Sequence, residues 1–299
     1  MQNRSVFVAL VKATVQAWWD DNATQLAAAL SFYSFFAIAP MLLIAVTVAG
    51  FLYDSTLART ALLRQMGGLI GADGAALLGS IMENMRPKQG NVVASVIGLG
   101  TILFAATGVF AELQNSLNRI WRAEAKPISG LWGLIRTRFL SFALVLGIGF
   151  LLLVSLVVNT LLAAFDGWLR QLLPGYEFWL HLLNLLLAFG VTTILFAMIF
   201  KVLPDVHVRW RNVALGAVVT AVLFTIGKSL IGLYLGNSAF GSTYGAAGSL
   251  AILLLWVYYS AQILFLGAEF TRAYTLWSEP TLFPAEGSTP GAAAPPGQV

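Results

Sequence analysis

Residues 212–236 read NVALGAVVTAVLFTIGKSLIGLYLG, residues 237–248 read NSAFGSTYGAAG, and residues 249–268 read SLAILLLWVYYSAQILFLGA. Glu269 and Arg272 then restore charge. Between Lys228 and Glu269 there are 40 residues with no Asp, Glu, Lys or Arg. A single crossing of a bilayer takes about 20 residues. The run is therefore two crossings, and Gly236, Gly241, Gly245 and Gly248 mark the break between them. The stretch Asn212–Tyr274 predicts a helical hairpin through a membrane, joined by a tight loop of small residues.

The composition agrees. The chain of 299 residues is 59% hydrophobic and 10% charged, where soluble domains carry about 25% charge. The net charge of +4 fits an excess of Lys and Arg on one membrane side better than a nucleic-acid surface. The absence of cysteine removes disulfides, thiolate catalysis and thiolate-bound metals. His181 and His207 lie at opposite ends of one predicted span, so no histidine-rich metal site is expected. No phosphate-cradling G-x-x-x-x-G-K-[ST] loop occurs, which argues against a pump driven by its own ATPase.

Upstream, residues 5–20 have helical periodicity. Ser5, Lys12, Gln16 and Asp20 share a narrow face, with Val6, Phe7, Leu10, Val11 and Trp18 opposite. This predicts an amphipathic helix over 1–21 lying in the membrane interface, with Trp18 and Trp19 at headgroup level, rather than a signal peptide. The uncharged window Asn22–Tyr53 predicts span one, with Pro40 inside it as a candidate kink. Ser31 and Ser34 there suit helix packing. The connection 54–91 reads as two short amphipathic helices on the outer surface, separated by Gly67, Gly68, Gly71 and Gly74. Spans two (Gly90 to about Leu113), three (Phe139–Phe165) and four (Phe178–Phe200) follow. The fold class is all-α, a polytopic protein with six transmembrane helices over 22–277 plus amphipathic interfacial helices. A disordered tail is expected over 278–299.

Six spans place 11 Lys and Arg on the side of the termini and 5 on the other. Both termini are therefore expected to be cytoplasmic.

Thr243-Tyr244-Gly245-Ala246-Ala247-Gly248, then Leu255-Trp256-Val257-Tyr258-Tyr259-Ser260-Ala261, then Leu266-Gly267-Ala268-Glu269 resemble the YihY/BrkB family of bacterial inner-membrane proteins. Leu26-Ala27-Ala28-Ala29-Leu30-Ser31-Phe32-Tyr33 with Ala39-Pro40 resembles the same family's opening. The likeness covers about residues 15–275. It implies a six-helix inner-membrane protein with cytoplasmic termini. The family is described as transporters, with a virulence or serum-resistance label for some members and an earlier ribonuclease label. The ribonuclease label fits this sequence poorly, because no cluster of His and carboxylates is available for metals.

Ionisable groups in spans are the sharpest clues to function, because burying charge in lipid is costly. They are Glu112, Lys228 and Glu269. Lys228 lies eight residues from the outer end of its span, roughly 12 Å. Two readings apply to it: snorkelling to the headgroups, or an anion contact in an outward-facing cavity beside Tyr234 and the glycine loop. That loop, with Tyr244, is either a plain turn or re-enters the bilayer. Glu112 and Glu269 share the opposite level with Gln25, Asn115, Arg119 and Arg272, and Glu112 is a candidate partner for Arg272. This polar cluster is either a gate or a salt-bridge network that closes helix ends.

The expected function is an inner-membrane transporter or exporter of an amphipathic, anionic or lipid-like solute. The alternative is a non-transporting scaffold or envelope-assembly factor. The candidate pathway or gate residues are Gln25, Pro40, Glu112, Asn115, Lys228, Tyr244, Glu269 and Arg272. No catalytic residue, cofactor or metal is expected. The expected partners are membrane lipids, the transported solute and a second copy of the chain, with no nucleic acid.

Overall fold

The computed structural model describes residues 2–50, 55–84, 108–123, 177–236 and 246–279. Span three, the glycine loop through Tyr244, most of span two and the tail beyond 279 lie outside the described residues. Among the described residues the regular structure is helical, with no strand. We label the helices α1 (Gln2–Asp20), α2 (Ala23–Gly50), α3 (Ser55–Asn84), α4 (108–120), α5 (Glu177–Val202), α6 (Trp210–Gly236) and α7 (Ala246–Ser278). By length and composition, stretches of α5, α6 and α7 are long and apolar enough to cross a membrane: Leu185–Val202, Trp210–Tyr234 and Leu250–Ser278.

α6 and α7 are the centre of the molecule, and small residues bring them together. Two G-x-x-x-T pairs face each other in antiparallel register, Gly216 with Thr220 on α6 and Gly267 with Thr271 on α7. Each glycine lies beneath the threonine of the opposite helix. A Cβ added at Gly216 would sit 2.8 Å from Cβ of Thr271, and one at Gly267 would sit 2.8 Å from Cβ of Thr220. Each threonine hydroxyl donates back to its own helix, Thr220 to the Gly216 carbonyl (2.7 Å) and Thr271 to the Gly267 carbonyl (2.6 Å). The hydroxyl is thus satisfied within its own helix, and its oxygen, with the Cβ and methyl behind it, is the part of each threonine that lies closest to the opposite glycine. In lipid, where apolar side chains gain nothing by leaving water, close approach of this kind is what holds helices together. Phe196 and Phe200 of α5 stack at 6.3 Å, and Phe196, Phe224 and Trp256 continue as edge-to-face pairs across α5, α6 and α7.

α2 packs along α7, and the Ser31 hydroxyl donates to the Leu254 carbonyl across the two helices (2.9 Å). α2 stays helical through Pro40 to Gly50, so no break in helix accompanies the proline. α7 begins at Ala246, inside the glycine-rich stretch, and runs ten residues beyond the apolar run that predicted it.

The segment 55–84 is helical throughout, yet it doubles back. Gly67 meets Ala75, Gly79 meets Leu63, and Arg59 pairs with Glu83 at 2.8 Å while donating to the Gly79 carbonyl (3.0 Å). A straight helix would hold Arg59 and Glu83 about 36 Å apart. The two glycine contacts and the ion pair share one centre, Gly71, so α3 is a hairpin of two helical arms. Two arms separated by glycines agree with the sequence, and the second arm also packs on protein. Leu78 and Met82 are buried against Leu253 of α7, with Phe35 of α2 and Trp256 beside them. The hairpin docks on protein.

α1 packs against α7 with the Leu10–Trp18 part of the apolar face that periodicity singled out, centred on Thr14. Thr14 is buried and donates to the Leu10 carbonyl (2.9 Å), and Leu10, Ala17 and Trp18 flank it half-buried. Phe7, Val8, Val11, Val15 and Trp19 form a separate exposed apolar stripe, and Lys12, Gln16 and Asp20 an exposed polar one.

Candidate functional site

The ends of α1, α4 and α7 and the start of α2 converge where the buried apolar cluster is densest, around Ala23, Leu117, Trp121, Phe265 and Ala268. The connection from α5 to α6 closes this end. Asp205 is held by Asn118 in two directions: Asn118 Nδ2 donates to its carboxylate, and its backbone N–H donates to Asn118 Oδ1, both at 2.8 Å. Lys201 donates to the Val208 carbonyl (2.6 Å) and lies 5.5 Å over the Trp210 ring. Glu279, just past α7, sits by the first turn of α6, where it pairs with Arg209 (3.1 Å) and accepts from Asn212 (3.4 Å). A helix N-terminus favours such an anion.

Inside this frame Glu269 is fully buried. Its side-chain neighbour is the Asp21 carboxyl, and no other group reaches its oxygens with hydrogen-bond geometry. The charged groups that act on it are Asp21 from the α1–α2 turn, Arg272 one turn further along α7, and Arg122 just past α4. Asp21 Oδ2, Ser116 Oγ, Gln262 Oε1 and the indole N–H groups of Trp18 and Trp121 are likewise buried and unpartnered. Gln262 and Glu269 stand seven residues apart, two turns of α7, on one face. Native proteins leave few such groups, and each implies water, an ion or a function. Here donors and acceptors gather at one end of one helix bundle, so polar matter from outside the chain can satisfy both.

Two backbone positions set up this end. Asn22 has φ 54° and accepts from Gln25 and Leu26 through its carbonyl, so one residue ends the α1 turn and caps α2. Asparagine tolerates this left-handed geometry. Arg122, with φ 47°, occupies the left-handed position that ends α4, where glycine is usual. A non-glycine residue there costs about 1–2 kcal/mol. The strain falls on a residue whose charge acts on Glu269.

Of the predicted site residues, Glu269 and Arg272 lie in this cluster. Glu112 is half-buried on α4. Gln25 and Asn115 are exposed, so sharing a level with Glu269 did not bring them to it. Pro40 lies within α2, and Tyr244 lies outside the described residues. Lys228 is exposed on α6 next to Gly227, which packs on Tyr259 and Ile263 of α7, so it stands about two turns from the level of Glu269 and on the outside of the bundle. Asp21, Arg122, Ser116, Gln262, Trp18 and Trp121 were not foreseen. The i, i+7 spacing of Gln262 and Glu269 was a readable signal, whereas Asp21 and Arg122 are brought in by turns that no periodicity encodes. Among the described residues no three His, Cys, Asp or Glu side chains gather to hold a metal ion.

Comparison with known proteins places this arrangement in a family. A family model described as virulence factor BrkB matches residues 14–287. A UPF0761 membrane protein of Tolumonas auensis is 32% identical over 184 residues, covering 60% of this chain and 58% of its own length. One from Psychrobacter is 27% identical over 275 residues, 88% of this chain and 48% of its own. One from Alkalilimnicola ehrlichii is 27% identical over 270 residues, 86% of this chain and 56% of its own. The chain thus spans about half the length of these curated relatives. No solved structure matches. With a family match over most of its length and membrane-length helices at its core, the chain belongs to the BrkB virulence factor family of membrane proteins.

Proposed function

We propose that this protein is a transporter or exporter in the bacterial inner membrane, with both termini cytoplasmic. Its solute, amphipathic, anionic or lipid-like, passes between α7 and the group formed by the α1–α2 turn and α4. The observation that carries the reading is Glu269, a fully buried carboxylate in a membrane-length helix, set against a second carboxyl group, Asp21, with Arg122 and Arg272 acting on it. Ionisable groups in such segments are costly and mark substrate or ion pathways. Asp21, Arg122 and Arg272 keep the cluster close to electroneutral, which suits a solute whose charges are exchanged for those of the protein. The exposed apolar stripe of α1, from Phe7 to Trp19, gives an amphipathic solute a surface to approach along. No catalysis and no cofactor enter this reading, and two copies of the chain form the working unit.

The interlocked α6–α7 crossing supports a second reading, a rigid membrane scaffold whose polar residues only close helix ends. One experiment separates the two. The natural chain contains no cysteine, so single cysteines report without background. Under the transport reading Ser116→Cys and Gln262→Cys react with a small water-soluble thiol reagent in proteoliposomes. Glu269→Gln changes that reactivity while membrane abundance stays normal. If both cysteines stay unreactive in folded protein, the cluster is dry and the scaffold reading replaces transport.

A further inference from the structure

The side chains of Asp21 and Glu269 stand within hydrogen-bonding reach of each other. Both oxygens of Glu269 are buried, and so is Asp21 Oδ2. An ionised carboxylate can only accept a hydrogen bond. Two ionised carboxylates in this position therefore repel and leave their facing oxygens unpaired, which is the pattern these oxygens show. One proton reverses that. The group that carries it becomes a donor, the other accepts, and a like-charge contact becomes a charge-assisted hydrogen bond. Among the described residues no donor reaches the Glu269 oxygens. Arg272, half-buried on α7, and Arg122, exposed at the end of α4, act on Glu269 by charge, and Asp21 acts on it more strongly than either. The other charged groups of the neighbouring elements stand off: Asp20 of α1, Arg119 of α4, and Arg211 and Lys228 of α6 are exposed, and Glu112 is half-buried. α3 meets α7 at Leu253, roughly four turns away. A metal ion suits the pair less than a proton does. Direct contact of the carboxyl groups leaves no gap for one, and among the described residues no third acidic or histidine side chain joins them.

We infer that Asp21 and Glu269 form a proton site: one proton is held between the two carboxyl groups and, on the transport reading above, it is the ion whose binding and release drives the solute. Asp21 is half-buried in the turn between α1 and α2, so it joins the buried Glu269 to water at the end of the bundle, and the proton enters and leaves through it. The use as a driving ion rests on the transport reading; the site itself does not. Charge counting supplies the coupling. Two carboxylates and two arginines are neutral together, and the same groups with one proton carry a single positive charge. The protonated site therefore favours an anionic solute, and by linkage the anion favours the proton.

The test reads the proton directly. The full chain in nanodiscs at neutral pH is measured by infrared spectroscopy for the C=O stretch of a buried carboxylic acid. The natural protein shows such a band, which shifts in heavy water, and Glu269→Gln loses it. Asp21→Asn moves or removes it, because the partner carboxyl has gone, while Asp20→Asn leaves it unchanged. The natural chain decides even if a variant does not fold: no buried acid band at neutral pH overturns the proposal. A band that Asp21→Asn leaves unchanged belongs to Glu269 alone and overturns the sharing. If the band is absent and sodium chloride in place of choline chloride raises the melting temperature of the natural chain but not of Glu269→Gln, the pair holds a metal cation and the proposal falls. The transport reading fails by a different readout, thiol access at Ser116→Cys and Gln262→Cys. An acid band in protein whose cysteines stay unreactive supports the proton site and removes transport. Reactive cysteines without the band keep transport and overturn the proton site.

Discussion

Substituting alanine for Gly267 tests the crossing on which the whole bundle rests. The new Cβ would strike Thr220 Oγ1 first and would lie 2.8 Å from both Cβ and Cγ2 of the same residue. Carbon atoms prefer about 3.5–4.0 Å, so α6 and α7 would have to part by about 0.7 Å or more. The atoms struck belong to a β-branched residue held close to its backbone, and rotation cannot clear a Cβ. Overpacking costs about 1–3 kcal/mol, and a strike on three atoms of one residue puts this case at the upper end, about 2–3 kcal/mol. Alanine in place of glycine returns about 1 kcal/mol in helix propensity. The expected net loss is about 1–2 kcal/mol, roughly a 5- to 30-fold fall in the folded-to-unfolded ratio. Reversible unfolding in mixed micelles, followed by tryptophan fluorescence, measures it. The decisive variant is the exchange: Thr220→Gly removes all three atoms that the new methyl strikes, so the pair Gly267→Ala with Thr220→Gly should recover most of the loss. A double-mutant cycle should give a coupling of at least about 1 kcal/mol. If Gly267→Ala is as stable as the natural chain, or the coupling is zero, the close crossing is wrong.

Two further outcomes follow from local geometry. The site of a Cβ on Gly67 lies 3.7 Å from Cβ of Ala75, within the disulfide range of about 3.5–4.5 Å. Gly67→Cys with Ala75→Cys should therefore oxidise to an intramolecular bridge in this cysteine-free chain, which a shift on non-reducing gels would report; a straight α3, holding the two about 12 Å apart, would not. Arg122→Gly should relieve the left-handed backbone and raise stability by about 1 kcal/mol in a Glu269→Gln background, where the charge lost has less to act on. No gain by thermal unfolding in that background would remove the idea that strain is held at this position.

How much of this was legible in the sequence follows from what repeats along a chain and what does not. The hairpin of α6 and α7 was plain, because 40 residues without charge cannot be one crossing. The register of its two helices was not, although the G-x-x-x-T pairs were in view, since small residues recur throughout this chain. Glycines between two apolar segments gave the arms of α3, but only long-range contacts fold it about Gly71. Glu269 was found because a carboxylate in an apolar helix stands out. Its neighbours were missed for a physical reason: Asp21 stands beside a left-handed asparagine and Arg122 is itself left-handed, and each position ends a helix, where periodicity stops. Depth along a span placed Gln25 and Asn115 level with Glu269, yet both are exposed, because level says nothing about which side of its helix a residue faces.

That distinction between level and face also limits how the buried cluster can move. Gly267 and Thr271 bear on α6, and at 100° per residue Gln262 and Glu269 fall close to the opposite side of α7. The first face has almost no clearance, since even a methyl group at Gly267 would meet Thr220. The second is lined with groups that lack partners. α7 therefore serves as a fixed wall, clamped to α6 on one side and polar on the other. Any opening at Glu269 must come from the elements across from that wall, the α1–α2 turn with Asp21 and the end of α4 with Arg122. Both are hinged at left-handed residues, and α1 has few contacts with α2 while it lies along α7. A cross-link that ties α6 to α7 should leave thiol access to Ser116→Cys unchanged, whereas one that ties α1 to α7 should abolish it. If the α6–α7 link is the one that closes the site, the fixed wall has been assigned to the wrong helix.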